Sequence, residues 1–329
     1  MQYENKSRSV NCPICRQKEG MLLYSVNIKD SVTHFKTTGW RNPENQERLQ
    51  DLKKAIFSLW KNDDCEVIRC RKCKFVFAHP YIAGDANFYN LAFDDAYPKN
   101  KWEFDKTIES IQAIPDYKNL KIFEVGAGTG MFTQQLRQLG IPASSLSVTE
   151  YSNQAIQSLS GMGVTVYSED IRVLTKQKTL IANSIDILCV FQVMEHMDNL
   201  HEFMQSIHYV LKPGGRFFMA VPNPNRIEFN ERNGGFLDMP PNHISRFSPE
   251  SLAILATENG FSIVSQLTEP EPIASLMGSF FYQRAIRRLQ LNVNKPGKLK
   301  SKIQFNYYRF IALSKGTPGE GYWIQMQKK

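Results

Sequence analysis

The 329-residue chain has no run of 18 uninterrupted apolar residues, which argues against a transmembrane helix. Met1–Val10 is polar with no apolar stretch behind it, so no secretory leader is expected and the chain reads as soluble and cytoplasmic. Cysteine is scarce, six in all, and without an export signal those six are poor candidates for a disulfide framework. Neither an internal repeat nor a low-complexity tract is apparent, and no paired-carboxylate hydrolase pattern or Ser-His-Asp arrangement stands out. The chain is 42% hydrophobic and 22% charged, which excludes a mostly disordered or collagen-like polymer. At roughly 100–200 residues per domain, this length suits one large domain with a smaller companion.

The net charge of +8 is unevenly placed. Residues 1–110 hold 18 basic and 15 acidic side chains, residues 111–270 hold 11 and 15, and residues 271–329 hold 11 and 2. The excess is therefore C-terminal, where it can attract nucleic acid, anionic lipid or an acidic substrate. A solvated basic surface is the plainer reading.

Four cysteines form two close pairs, Cys12-Pro13-Ile14-Cys15 and Cys70-Arg71-Lys72-Cys73. Two CxxC turns are the usual way to set four thiolates around a tetrahedral zinc ion. The long separation is partly explained by residues 42–62, where Leu49, Leu52, Ile56, Leu59 and Trp60 recur at helical spacing. A redox CxxC would open a helix after a strand, and no strand precedes Cys12. Four sulfur ligands leave no open position, so the Zn2+ expected at Cys12, Cys15, Cys70 and Cys73 is structural. Cys65 and Cys189 read as a spare and a buried apolar residue.

Residues 1–80 are expected to form this small zinc-ribbon-like module, with strands near 21–26 and 74–78. Residues 81–118 read as a connector or lid rich in aromatics, among them Phe88, Tyr89, Tyr97, Trp102 and Phe104. From 119 to 329 apolar strands alternate with helices, predicting an α/β domain with a Rossmann-like, doubly wound seven-stranded sheet. Its last strand, GYWIQMQKK, is expected to be antiparallel, after an insertion at about 271–318 that carries Arg284, Arg287 and Arg288.

The first strand of that domain ends in Glu124-Val125-Gly126-Ala127-Gly128-Thr129-Gly130. Ligands of open α/β sheets bind at such strand ends, where glycines let backbone approach closely. Met131 stands where the dinucleotide G-x-G-x-x-G pattern needs glycine, and no lysine follows as in a P-loop, which disfavours a nicotinamide oxidoreductase. Glu150 ends the second strand, placed to accept hydrogen bonds from ribose hydroxyls. Glu169 and Asp170 follow the third, placed to receive an adenine amine.

These segments resemble the class I S-adenosylmethionine-dependent methyltransferases over roughly residues 118–268 and the last strand. EVGAGTG is similar to their first motif, Glu150 to their ribose-binding acid and SEDI to their adenine-side motif. SIDILCVFQVMEHMDNL resembles their fourth-strand segment and LKPGGRFF the turn into their fifth. The resemblance implies S-adenosyl-L-methionine bound by Glu124, Gly126, Gly128, Gly130, Glu150, Glu169, Asp170 and Gln192. It also places Gln192–His196 beside the methionine moiety and the acceptor. The cysteine module looks similar to zinc-binding segments that precede some bacterial small-molecule and sugar methyltransferases. Pro222-Asn223-Pro224-Asn225 departs from the Asn/Asp-Pro-Pro-Tyr signature of base methylation.

Two histidines are candidates for the chemistry. His196 follows the fourth strand and is expected to shape the pocket floor. His243 lies in a loop stiffened by Pro240-Pro241 and is the candidate base or acceptor-orienting group. Arg246, three residues on, is expected to meet an acidic group of the acceptor. His201 and His208 are expected to pack or face solvent. The function expected is methyl transfer to a small-molecule or sugar hydroxyl. A nucleic-acid or protein substrate recruited by the zinc module and the basic insertion is the alternative, and a noncatalytic binding protein on the same fold is the third.

Overall fold

The computed structural model describes residues 4–37, 45–92, 101–232, 239–271 and 319–329, with scattered positions between 275 and 310. Most of the 271–318 insertion, including Arg284, Arg287 and Arg288, lies outside the described residues, as do Tyr97 and Asp238.

The N-terminal part contains β1 (Lys6–Ser9), β2 (Glu19–Asn27), α1 (Ile28–Thr37), α2 (Gln46–Trp60), β3 (Asp64–Cys70) and β4 (Val76–His79). Helix α2 forms where the 3.6-residue spacing predicts it. Asn45 caps its start by accepting the Arg48 N–H, and Leu52, Ile56 and Leu59 are buried on one face. Its chain stops at Lys61, which adopts φ 54. Strands β1 and β3 carry Lys6, Arg8, Asp64, Glu66 and Arg69, and the sequence reading does not predict them. They pair because β2, mostly buried, sits between them.

The connector forms α3 (Ala86–Ala92) and α4 (Trp102–Gln112). Beyond it come β5 (Ile122–Val125), α5 (Met131–Gln138), β6 (Leu146–Thr149), α6 (Asn153–Gly161), β7 (Thr165–Tyr167), α7 (Ile171–Lys176) and β8 (Ile185–Phe191). The chain continues with α8 (Leu200–Val210), β9 (Leu211–Pro222), α9 (Pro224–Arg232), β10 (Ser245–Arg246), α10 (Pro249–Glu258), β11 (Phe261–Thr268) and β12 (Gly321–Lys328).

The main sheet has the order β11-β12-β9-β8-β5-β6-β7. Strands β5 to β9 run parallel, and β12 is antiparallel to both β9 and β11, as expected of the last strand. Alternation along the strands sends Phe123, Leu188, Val190, Phe217 and Met219 into one apolar layer. Ile122, Ile187, Cys189, Phe218 and Trp323 go into the other.

The second sheet, β1-β2-β3-β4-β10, takes its edge strand from residues 245–246, far along the chain. Cys12, Ile14, Cys70, Cys73, Phe75 and Phe77 share one apolar cluster with the β5, β8 and β9 residues of the main sheet. Among the described residues, no helix is long and apolar enough to cross a membrane.

Candidate active site and cysteine cluster

Strand β5 is wholly buried and delivers the glycine turn to the C-terminal edge of the parallel strands. Gly126 adopts φ 72, and a Cβ there would lie 2.6 Å from Val193 Cγ2, so glycine is needed for both backbone angle and space. Its N–H donates to the Thr149 carbonyl at 3.0 Å. The Glu150 carboxylate is buried at the end of β6 and closes the loop. It accepts from the N–H groups of Gly128 at 2.7 Å, Tyr151 at 2.8 Å and Ser152 at 2.9 Å. A carboxylate has about four acceptor positions, so one ribose hydroxyl can be taken directly and a second if the Gly128 N–H is released. The turn and Glu150 therefore fit a nucleoside.

Glu124 does not line that turn as a free carboxylate. It is buried beneath it and accepts from Thr133 Oγ1 of α5 at 2.8 Å. Burial pushes its carboxyl up to about 8, with Glu150 adding to the shift while the Thr133 hydrogen bond and the Lys101 charge oppose it. Glu169 is exposed after β7. Asp170 caps α7, accepting the Arg172 N–H at 2.7 Å, and also holds the Arg172 side chain at 2.9 and 2.7 Å. Tyr151, which the sequence reading did not single out, follows Glu150 with 61% of its surface exposed.

Beyond β8, β9 and β12 lies a cavity of about 410 Å³. Gln192 and His243 line it together with Lys101, Glu103, Asn223 and Arg226, while Glu269 and Glu320 lie where the insertion leaves and rejoins the sheet. Gln192 adopts φ 56 and donates from Nε2 to Glu103 Oε1 at 3.1 Å. Arg226 is held by Glu271 at 2.6 Å. Asn223 and Arg226 sit just past the end of β9, where the strand-end rule points. Lys101, Glu103, Glu269 and Glu320 come from distant segments that carry no motif.

The two candidate histidines meet. Their rings pack edge to face with centroids 4.6 Å apart. His196 stands in a single turn, Met194–His196, after β8, and its Nδ1 lies 2.7 Å from the Asn242 carbonyl and 3.0 Å from the Tyr89 hydroxyl. The His243 loop is pinned by hydrogen bonds from the Asn242 and His243 N–H groups to Met239 O. A third runs from the Ile244 N–H to the Glu195 carbonyl.

The four paired cysteines converge. Cys12 Sγ lies 3.5 Å from Cys73 Sγ, Cys15 Sγ lies 3.5 Å from Cys70 Sγ, and all four sulfurs lie within 4.8 Å of one another. A tetrahedral zinc with 2.3 Å bonds places its sulfurs about 3.8 Å apart, so the cluster fits that ion. Cys65 and Cys189 are buried elsewhere, and burial pushes the Cys65 thiol up to about 12.

Of the packing and solvated roles expected for His201, the structure shows packing. Its Nε2–H donates to the Ile14 carbonyl of the first knuckle at 2.9 Å, and its Nδ1 accepts from Asn259. Arg246 departs from expectation. Rather than meeting an acceptor, it is buried and donates to both Glu231 oxygens and to the Tyr24 hydroxyl. Two distant acid and phenol groups satisfy it, which no local pattern reveals.

A family profile described as a methyltransferase domain matches residues 99–266. The ubiquinone biosynthesis O-methyltransferase of Rattus norvegicus mitochondria is 30% identical over 154 residues, covering 44% of this chain and 45% of that protein. The corresponding Homo sapiens protein is 26% identical over 168 residues, covering 48% and 46%. The chain thus spans about half the length of the curated relatives it matches. Among solved structures, a SAM-dependent methyltransferase from Archaeoglobus fulgidus aligns over 69% of this chain and 94% of its own, with 17% identity and a TM-score of 0.45. With half of its length matched by that profile and its sheet in the order described, the chain belongs to the methyltransferase-domain family.

Proposed function

We propose that the protein transfers the methyl group of S-adenosyl-L-methionine to a hydroxyl of a small polar acceptor, a sugar or a secondary metabolite. The observation that carries this reading is the His196–His243 pair beside a cavity of about 410 Å³, a volume suited to a small molecule. The charged and amide side chains around it favour an acceptor rich in hydrogen-bonding groups. The names of the O-methyltransferase relatives support oxygen as the acceptor atom.

The donor supplies a methyl on a cationic sulfonium, already activated for transfer. Gly126, Gly128 and Gly130 would bring backbone against it, Glu150 would hold the ribose, and Gln192 would face the methionine end. Glu124 would brace the turn from below, and Glu169 and Asp170 would bound the adenine side. The chain must align the acceptor oxygen behind the methyl carbon and exclude water. As the O–C bond forms and the C–S bond breaks, the electron pair stays on sulfur and the hydroxyl proton leaves to the histidine pair, with His243 foremost. The cysteine cluster would hold structural zinc, giving a zinc-binding part over residues 1–80, a connector over 81–118 and the methyltransferase domain over 119–329.

The test is calorimetric titration of zinc-replete protein with S-adenosylmethionine, followed by mass-detected methyl transfer to a panel of hydroxylated acceptors. His243→Ala is expected to keep donor affinity and to lower turnover by about 100-fold or more. Donor binding with transfer unaffected by this substitution would overturn the catalytic assignment. Absent donor binding by folded protein would overturn the function.

A further inference from the structure

Glu195 immediately precedes His196 in the Met194–His196 turn, yet the methyl-transfer reading gives it no task. It is only 1% exposed. Its Oε1 stands 3.9 Å from His196 Nε2, and one ligand atom from each of Glu195, His196 and His243 lies within 4.8 Å of the others. We propose that Glu195, His196 and His243 bind a divalent first-row cation, distinct from the cysteine-bound zinc, which receives the acceptor hydroxyl. This rests on the reading that the acceptor is a hydroxyl presented to the histidine pair.

The tautomer of His196 supports the assignment. The Asn242 carbonyl is an acceptor only, so at 2.7 Å the His196 Nδ1 must carry the proton and donate to it. In the neutral ring Nε2 then bears the lone pair, on the side facing Glu195. A metal-binding histidine commonly has its other nitrogen fixed by such a backbone carbonyl. Tyr89, whose hydroxyl lies 3.0 Å from the same nitrogen, further limits rotation of the ring.

The third ligand is held in place by the backbone. The hydrogen bond from Ile244 N–H to Glu195 O ties the His243 loop to the turn that carries the other two groups. Bonds of about 2.0–2.2 Å bring neighbouring ligand atoms to about 3.0–3.5 Å, so binding would draw the three groups together by about 1 Å. Two imidazoles and one carboxylate suit borderline cations such as Mn2+, Fe2+, Co2+ or Zn2+, and they leave coordination positions open. His243 lines the cavity, so an open position there meets the acceptor. A hydroxyl bound to the cation loses its proton to solvent more readily, and its oxygen is fixed for attack on the methyl carbon. His243 would then act as a ligand, and the cation would ease ionisation in place of an imidazole base.

The experiment uses the full chain with one equivalent of zinc in the cysteine cluster, which metal analysis verifies before and after. Mn2+ is titrated while the electron paramagnetic resonance of free Mn2+ is followed, and pulsed spectra of the bound ion are examined for nitrogen coupling. One further ion per chain with imidazole coupling is expected. Glu195→Gln and His243→Ala should each weaken Mn2+ binding by about 100-fold or more, with zinc content unchanged. His208→Ala, on a distant part of α8, should leave it unaltered. Because Glu195 is buried, thermal melting of Glu195→Gln is measured alongside, and the half-exposed His243 supplies the independent variant. If wild-type protein binds no second ion while His243→Ala still loses methyl transfer, the metal site is refuted and the imidazole pair acts unaided. If neither ion binding nor transfer to any hydroxyl is seen, the hydroxyl-acceptor reading falls as well. Binding that persists in both variants would place the ion elsewhere and refute the site.

Discussion

Replacing Glu124 by Gln isolates the consequence of burying a carboxyl beneath the glycine turn. Burial pushes this group up to about 8, whereas an unfolded glutamate titrates near about 4.3. Below about pH 4.3 both states hold the proton. Between there and about pH 8 the folded chain keeps a proton that the unfolded chain has released. The residue's contribution to stability therefore falls as pH rises, by about 1.4 kcal/mol per unit, and levels off above about pH 8. Gln carries no such proton and keeps the shape. Between pH 5 and pH 8.5, Glu124→Gln should gain about 3–4 kcal/mol relative to the parent. Other titrating groups cancel in that difference. Urea unfolding of both proteins followed by tryptophan fluorescence across this range measures it. A difference that stays flat with pH would mean that the carboxyl is ionised when folded, so that the Lys101 charge outweighs burial, and the reasoning would fail. The same proton matters to the proposed donor site. While Glu124 is neutral, Glu150 on the adjacent strand meets no like charge from it. Donor affinity of the parent should thus weaken above about pH 8, and that of the variant should not.

Other consequences can be measured alongside. Gly126→Ala forces a left-handed φ on alanine, costing about 1–2 kcal/mol, and presses its Cβ against Val193. Donor affinity should drop sharply, and adding Val193→Ala should restore part of it. Full affinity in the single variant would refute the turn as the donor site. Cys73→Ser should release the proposed zinc. Because Cys12, Cys70 and Cys73 share an apolar cluster with Phe123 and Leu188, melting should remain one transition at lower temperature. Two separate calorimetric transitions would instead show an independent module. Arg246→Met leaves the Glu231 carboxylate buried without its cation and should cost about 3–5 kcal/mol, read by urea unfolding. A loss below about 1 kcal/mol would show that the pair does not tie helix α9 to the smaller sheet.

Much of the fold could be read directly because it rests on local chemistry. Helix α2 has its apolar residues at 3.6-residue spacing, Ile187–Phe191 of β8 is the continuous apolar run of a strand covered on both faces, and the turn after β5 needs glycine because of its backbone angles. The two CxxC pairs are legible for a similar reason, since each knuckle is a short turn whose ligand types and spacing are set within four residues. Strands β1 and β3 are less legible, because their charged side chains read as surface and only pairing with β2 makes them strands. Strand β10 is two residues long and exists only through its pairing with β4.

What tertiary structure alone decided is which side chains meet across long stretches of chain. His196 and His243 are 47 positions apart, and nothing local indicates that their rings touch or that Glu195 joins them. Arg246 looked available for an acceptor until Glu231 and Tyr24 were seen to satisfy it. His201 packs against the first cysteine knuckle, a partner 187 positions away that no local pattern names. Backbone angle, helical period and ligand spacing are properties of neighbouring residues, so the amino-acid order records them. Charge pairing, ring contact and cavity lining depend on distances through space, which arise only when the two sheets close on their shared core.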